Sequence, residues 1–269
     1  MDVPEIYFGN IANTYVKFLI QESWFDGREG CVNKNSKKSV IFNHILPTQK
    51  ELSAYFSLNA VKQALKAVDV ELADDTLRKY MSESMAAGIV SDAGRGWYSR
   101  HTKPVSLDPK PVSKIIREVK KAFPLLDFCC WSTIQFNPFA LHLIGQPTIF
   151  LYAEEDALET VGSALRDAGW DAWANPGKSD AERFIRPGAT TVVLRPSIAK
   201  QPICVAHVAP IEKALVDLFI EASKIQLMDQ AEVQRILDSA LSSGLLKLPV
   251  LFSYAETKRV QIASKEIIY

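Results

Sequence analysis

A chain of 269 residues, 48% hydrophobic and 23% charged, fills ordinary globular cores and predicts two domains, at roughly 100–200 residues each. Its 31 basic residues are balanced by 31 acidic ones, which argues against a nonspecific polyanion binder; any nucleic-acid surface must come from local placement of charge. No apolar run approaches the roughly 20 residues that cross a bilayer, and the acidic start Met1-Asp2-Val3-Pro4-Glu5 lacks the basic segment of a secretion signal, so a cytosolic protein is expected.

Ile6, Ile11, Tyr15, Phe18, Leu19 and Ile20 recur at near-helical spacing and predict a first helix over residues 5–25, stopped by Gly27 and Gly30. The lysine-rich stretch 34–39 reads as a loop, and the apolar stretch 40–46 as a short element ending at Pro47. Thr48 and Glu51 have the spacing of a capping box for a helix whose buried stripe is Leu52, Tyr55 and Phe56. Asn59 opens the next helix, with Val61, Ala64, Leu65 and Val68 inward. Asp74 is placed to cap a third, running to about residue 87.

In that third helix Leu77, Met81 and Met85 form one stripe, leaving Asp75, Thr76, Lys79, Ser82 and Glu83 outward and Arg78 on the flank, with Gly88 as the stop. Ile89 and Val90 begin a strand, residues 92–96 turn, and residues 97–100 return as a hairpin. Helices followed by a basic-tipped hairpin predict a winged helix-turn-helix over residues 1–108, including the N-terminal helical extension. Thr76, Arg78 and Lys79 would enter a major groove, while Arg95, Arg100 and Lys103 would hold phosphates. Asp74, Asp75 and Glu83 weigh against nonspecific affinity, so dimer-assisted binding to a specific double-stranded operator is expected.

Pro104, Pro109 and Pro111 mark a linker, followed by a basic amphipathic helix over residues 113–123. Strands at 126–131, 148–152, 171–174 and 190–195 alternate with helices at 138–143 and 156–168, and helices follow from Pro210 through Phe219, at 231–241 and at 249–258. Residues 109–269 therefore read as a mixed α/β domain with C-terminal helices, making the chain as a whole α+β.

The sequence offers little for catalysis. Gly162-Ser163 lies in a helix with no paired Asp-x-Asp, and neither a dinucleotide fingerprint nor a P-loop occurs, so no cofactor is expected. His44, His101, His142 and His207 lack acidic or cysteine neighbours at ligand spacing, so no metal site is expected. Cys31, Cys129, Cys130 and Cys204 show no C-x-x-C spacing and read as buried thiols. Glu154, Glu155 and Asp156 follow a strand where a helix start favours negative charge; the alternative is a metal-dependent nuclease that holds its ion there. A winged helix that binds protein instead of DNA is a further alternative.

The order of features, and above all the stretch Pro210-Ile211-Glu212-Lys213-Ala214-Leu215-Val216-Asp217-Leu218, resembles the AbiEi-type antitoxins of bacterial type IV toxin-antitoxin systems, whose second domain carries a Pro-x-Glu-Lys-x-Leu-x-Asp-Leu helix. The Phe123-Pro124 turn and the strand from Thr148 are also similar, and the likeness spans residues 48–258, leaving 1–46 without a counterpart. The resemblance implies a non-enzymatic regulator that represses its own operon through the first domain and counters a nucleotidyltransferase toxin without needing a tight complex. Within the motif Leu215, Leu218 and Phe219 are expected to face the core, with Glu212, Lys213 and Asp217 satisfying helix ends and neighbouring strands.

Overall fold

The computed structural model describes residues 37–99, 106–225, 227–262 and 267–268; the helix expected over 5–25 lies outside them. The chain is a mixed α and β protein that divides into two compact units at Lys103 and Pro104, the first also taking in Ser242–Leu245 and Ser264–Tyr269 from the far end of the sequence.

The first unit begins with α1 (Lys37–Val40), a π-helical turn (Ile41–Ile45) and α2 (Leu46–Leu52) in unbroken succession. Residues 37–46 were expected to be loop and a short element. They are helical because Pro47 falls in the first turn of α2, where its missing N–H is not needed. Thr48 lies inside α2 and does not cap it; its hydroxyl donates to the His44 carbonyl one turn back, at 2.9 Å. The helix stops at Ser53, whose backbone is extended. Tyr55 and Phe56, expected on a helical stripe, instead begin β1 (Tyr55–Ser57), an assignment their aromatic rings favour on a sheet buried on both faces.

Ser57 caps α3 (Leu58–Lys66) by accepting from the Ala60 N–H at 3.1 Å. Next come α4 (Asp74–Ala86), β2 (Ser91–Gly94) and β3 (Trp97–Ser99). Gly88 ends α4 at φ +68°, a conformation that a side chain would strain. β1 pairs antiparallel with β3, Phe56 opposite Tyr98, and the late strand β8 (Ile267–Ile268) runs parallel to β1 on its other edge, giving the order β2-β3-β1-β8. The core consists of Ile41, Ile45, Leu46, Phe56, Val61, Leu65, Leu77, Met81, Val90 and Tyr98.

The second unit runs from a 3-10 turn (Lys110–Val112) into α5 (Ser113–Ala122), β4 (Phe128–Ser132), β5 (Ile149–Ala153), α6 (Leu158–Asp167), β6 (Asp171–Ala174), α7 (Lys178–Phe184) and β7 (Thr191–Pro196). Three longer helices follow: α8 (Ile211–Ile225), α9 (Gln230–Ser242) and α10 (Leu248–Thr257). The sheet order is β4-β5-β7-β6, with β4 antiparallel and the other three parallel. Strands buried on both faces read as continuous apolar runs, and side chains alternate between the two faces. Ile149, Leu151, Ala153, Val192 and Leu194 meet α5 and α6 in one core. Tyr152 and Arg195, one residue out of phase, meet side chains of α8 on the opposite face.

The helix expected over 138–143 is absent. A 3-10 turn at Thr133–Phe136 takes the helical geometry earlier, held by Gln135, which accepts from the Ser132 N–H at 2.7 Å and donates to the Asp108 carbonyl at 2.6 Å. Leu141 and Leu143 are left exposed. The seven-residue α7 has no counterpart among the expected elements, being too short for an apolar period to show.

The thiol reading is corrected for two cysteines. Cys129 and Cys204 form a disulfide across 75 residues of sequence, with Cα atoms 6.0 Å apart. No spacing rule connects them, because β4 and the loop after β7 become neighbours only in the folded sheet. Cys130 is a free buried thiol on the opposite face of β4, in the core with α5 and α6.

Burial raises the Cys130 thiol above its ordinary 9.0 and the Tyr152 and Tyr254 phenols above their ordinary 10.0. The folded state keeps these protons where the unfolded chain releases them, so the stability they contribute is complete below about pH 9 and falls as pH rises. Lys213, lowered by its own desolvation, works in the opposite direction between its folded value and 10.5, one group against these three and the Tyr98 phenol, which burial also raises. Urea midpoints are expected to drop from about pH 9 upward, and Cys130→Ala to delay the onset to about pH 10. A midpoint flat to pH 11 would overturn this account.

Candidate nucleic-acid interface

Helix α4 is amphipathic because its inward residues recur every three to four positions: Leu77 and Met81 are buried and Met85 half-buried, with Ser84 buried beside them and donating to the Tyr80 carbonyl at 2.8 Å. Asp75, Arg78, Lys79 and Ser82 are exposed on the opposite face, and Thr76 is half-buried. Asp74 does not cap the helix. The cap position is Ala73, with no side-chain hydrogen bond, and Asp74 instead pairs with Lys62 of α3 at 2.5 Å. The first-turn N–H groups of α4 therefore receive no side-chain cap.

Two of the three carboxylates that weighed against nucleic-acid affinity are matched by lysines from other helices. Lys62 holds the Asp74 carboxyl below its ordinary value, by hydrogen bond and then by charge. Lys38 of α1 reaches Glu83 at 2.6 Å and lowers it in the same way. Asp75 is left beside Arg78 and Lys79, so this face of α4 carries a small positive surplus. Neither lysine was identified from the sequence, since the partners lie 12 and 45 positions apart.

The hairpin turns in two residues. Arg95 and Gly96 both have positive φ, +38° and +82°, the primed geometry that fits the twist of the flanking strands. Gly94, opposite Trp97 after a register shift, receives the Asp92 carboxylate on its N–H at 2.8 Å. The expected turn over 92–96 is thus narrower, with residues 91–94 in strand. Arg95 stands exposed at the tip. Tyr98, buried at the base, has its phenol raised by burial while Arg78 opposes the shift, so the flank of α4 and the hairpin base share one electrostatic environment. Arg100 and Lys103 lie outside the described residues.

The motif residues of the second unit are not a surface. Leu215 and Leu218 are buried as expected, while Phe219 is only half-buried. Pro210 immediately precedes α8, and Glu212 accepts from the Lys247 N–H at 2.7 Å, covering the approach to α10. Lys213 is fully buried: its Nζ donates to Asp217 Oδ2 at 2.6 Å and to the Tyr254 hydroxyl at 3.0 Å, and sits 3.5 Å from the centroid of the Tyr152 ring. Tyr254 donates in turn to Asp217 Oδ1 at 2.8 Å. One turn on, Glu221 grips Arg195 of β7 at 2.6–3.1 Å, and the same guanidinium donates to the Pro176 carbonyl at 2.7 Å. The i, i+4 spacing of Lys213 and Asp217 and the arginine inside an apolar strand were the available sequence signals; Tyr152, Glu221 and Tyr254 gave none.

Glu154, Glu155 and Asp156 are exposed around a 3-10 turn (Glu155–Ala157) leading into α6, where negative charge suits the helix start. Among the described residues no three His, Cys, Asp or Glu side chains gather with metal-binding geometry. His207 stacks on Phe128 with ring centroids 4.1 Å apart, and its Nδ1 lies 2.9 Å from the Phe128 carbonyl. No described helix is long and apolar enough to cross a membrane.

A search of curated proteins finds no match to the chain. A family model does match, over residues 76–268, from the first turn of α4 through the hairpin and the whole second unit to β8. The protein belongs to DUF6577, a family of unknown function.

Proposed function

We propose that the protein is an antitoxin-like transcriptional regulator: a winged helix-turn-helix in which α4 enters the major groove of an operator and the β2–β3 hairpin follows the backbone. The observation that carries the reading is the pairing of α4, whose Arg78 and Lys79 are exposed with Thr76 half-buried beside them, with a two-residue hairpin that holds Arg95 at its tip. The lysine pairs at Asp74 and Glu83 support it, since they remove two of the charges that would repel phosphate. The family match assigns no activity, so the antitoxin part of the reading rests on the resemblance of residues 210–218. On this reading the second unit counters a nucleotidyltransferase toxin, and the protein acts by binding, without a catalytic step or cofactor.

Gel shifts with the DNA upstream of its own gene, over a series of salt concentrations, test the first half. The wild type should bind with a steep salt slope. Arg95→Ala with Arg100→Ala should weaken binding to every duplex and reduce that slope by about two, one per lost phosphate contact. Arg78→Ala should instead relax discrimination between operator and unrelated DNA. Unchanged binding by the double variant would remove the hairpin from the interface, and no shift by the wild type would leave the winged helix as a protein-binding module. Coexpression with the product of an adjacent nucleotidyltransferase gene tests the second half, restored growth being the expected outcome.

A further inference from the structure

The loop between β7 and α8 is held to the sheet in two different ways. Its second half joins the free edge of β4 by backbone: Cys130 donates to the His207 carbonyl at 2.8 Å and Ala209 to the Cys130 carbonyl at 2.9 Å. Val205 and Val208 close a tight turn through Ala206 and His207, both at positive φ, and the His207 ring lies on Phe128. The first half has no such ladder. After Ser197, which donates to the Ala153 carbonyl at 2.7 Å, the backbone hydrogen bond found within residues 198–204 stays inside the segment, from the Gln201 N–H to the Ile198 carbonyl. What ties this half to the sheet is the Cys129–Cys204 disulfide.

We propose that this disulfide is a redox latch, opened by a dithiol reductant, that fixes or frees residues 198–204 while leaving 205–209 in place. The bond is within reach of a reductant. Both cysteines line an open depression of about 550 Å³ shared with Asp127, Glu154, Glu155 and Ile203. Cys129 is buried and Cys204 half-exposed, so an incoming thiolate meets Cys204 Sγ first. It bonds to that sulfur as the Cys129–Cys204 bond breaks; the Cys129 sulfur leaves with the electron pair and takes a proton. The reductant's second thiol then displaces Cys204, which also leaves as a thiol, so the protein gains two protons and two electrons and the reductant becomes a disulfide. Cys130 does not join in, because its thiol points into the opposite core and burial keeps it protonated.

The latch has a structural consequence. Ile203, 88% exposed, lines with Pro202 and Gln201 an apolar groove of about 740 Å³ that Leu107, Pro109 and Val250 also line. With the latch open, the lining from 201–203 is lost, while Val205, Val208 and Ala209 stay on the β4 ladder.

Hydrogen exchange of the full chain, read by mass spectrometry before and after dithiothreitol, tests this. Thiol trapping should show two cysteines released under native conditions, and exchange of the Gln201 amide, the one described as hydrogen-bonded within 198–204, should rise at least tenfold, with 128–132 and 205–209 unchanged. Cys204→Ser without reductant should show the same pattern, and reoxidation of the wild type should reverse it. Thiols released only when the whole unit unfolds would overturn the latch, and so would unchanged exchange in 198–204 after full reduction. Loss of protection spreading through β4 would overturn the division of the loop into two halves.

Discussion

Lys213→Ala is expected to destabilise the second unit by about 3–5 kcal/mol, lowering its melting temperature by about 6–20 °C. The lysine neutralises Asp217 at 2.6 Å in a site closed to water, so its removal leaves a buried carboxylate with only the Tyr254 hydroxyl and opens a hole beneath the Tyr152 ring. Asp217→Ala strands the ammonium instead; desolvation already lowers the Lys213 pKa, and losing its partner lowers it further, so it sheds its proton more readily as pH rises. The loss for Asp217→Ala should therefore shrink as pH rises. Replacing both, Lys213→Met with Asp217→Leu, should recover most of the stability, because apolar residues of similar volume carry no desolvation penalty. Thermal unfolding followed by near-ultraviolet circular dichroism checks all three. A double variant no more stable than Lys213→Ala would show that shape, and not charge, sets the requirement at these positions.

Arg195→Met should cost a similar amount, about 3–5 kcal/mol. The guanidinium satisfies the Pro176 carbonyl and the Asn175 side chain as well as Glu221. Without it, among the described residues, Glu221 keeps the half-exposed Lys224 at 3.7 Å. Arg195→Lys retains the charge but not the planar fork, so it should recover less than half of the loss. Urea unfolding of the two variants beside wild type measures this, and equal stability of Lys and Arg at 195 would show that the fork geometry does not matter.

These two clusters bear on the stretch from Pro210 to Leu218. Its charged positions in α8 point inward, onto Tyr152 of β5 and Tyr254 of α10, with Arg195 of β7 held one turn further along. The motif therefore specifies how α8 seats on the sheet. A partner surface for the second unit has to be sought on side chains that remain exposed, not on Lys213 or Asp217.

The sequence by itself determined the elements whose apolar period is long and uninterrupted. α4, α5, α9, α10 and strands β5–β7 stand within one or two residues of expectation, because side chains recurring every 3.6 or every 2 positions report which face is buried. It also placed Arg95 at the tip of a hairpin, since a basic residue between two glycines leaves few other backbone geometries. Local patterns failed where a distant partner decided the outcome. Tyr55 and Phe56 fit a helix as well as a strand until β3 supplied the pairing, and Asp74 looked like a cap until Lys62 took its carboxylate. Cys129 and Cys204 carried no signal at all, being 75 residues apart. The surplus charge on α4 and the burial of Lys213 are likewise sums over neighbours from several elements, a property that only tertiary structure can decide, because electrostatic energy depends on distance in space and not along the chain.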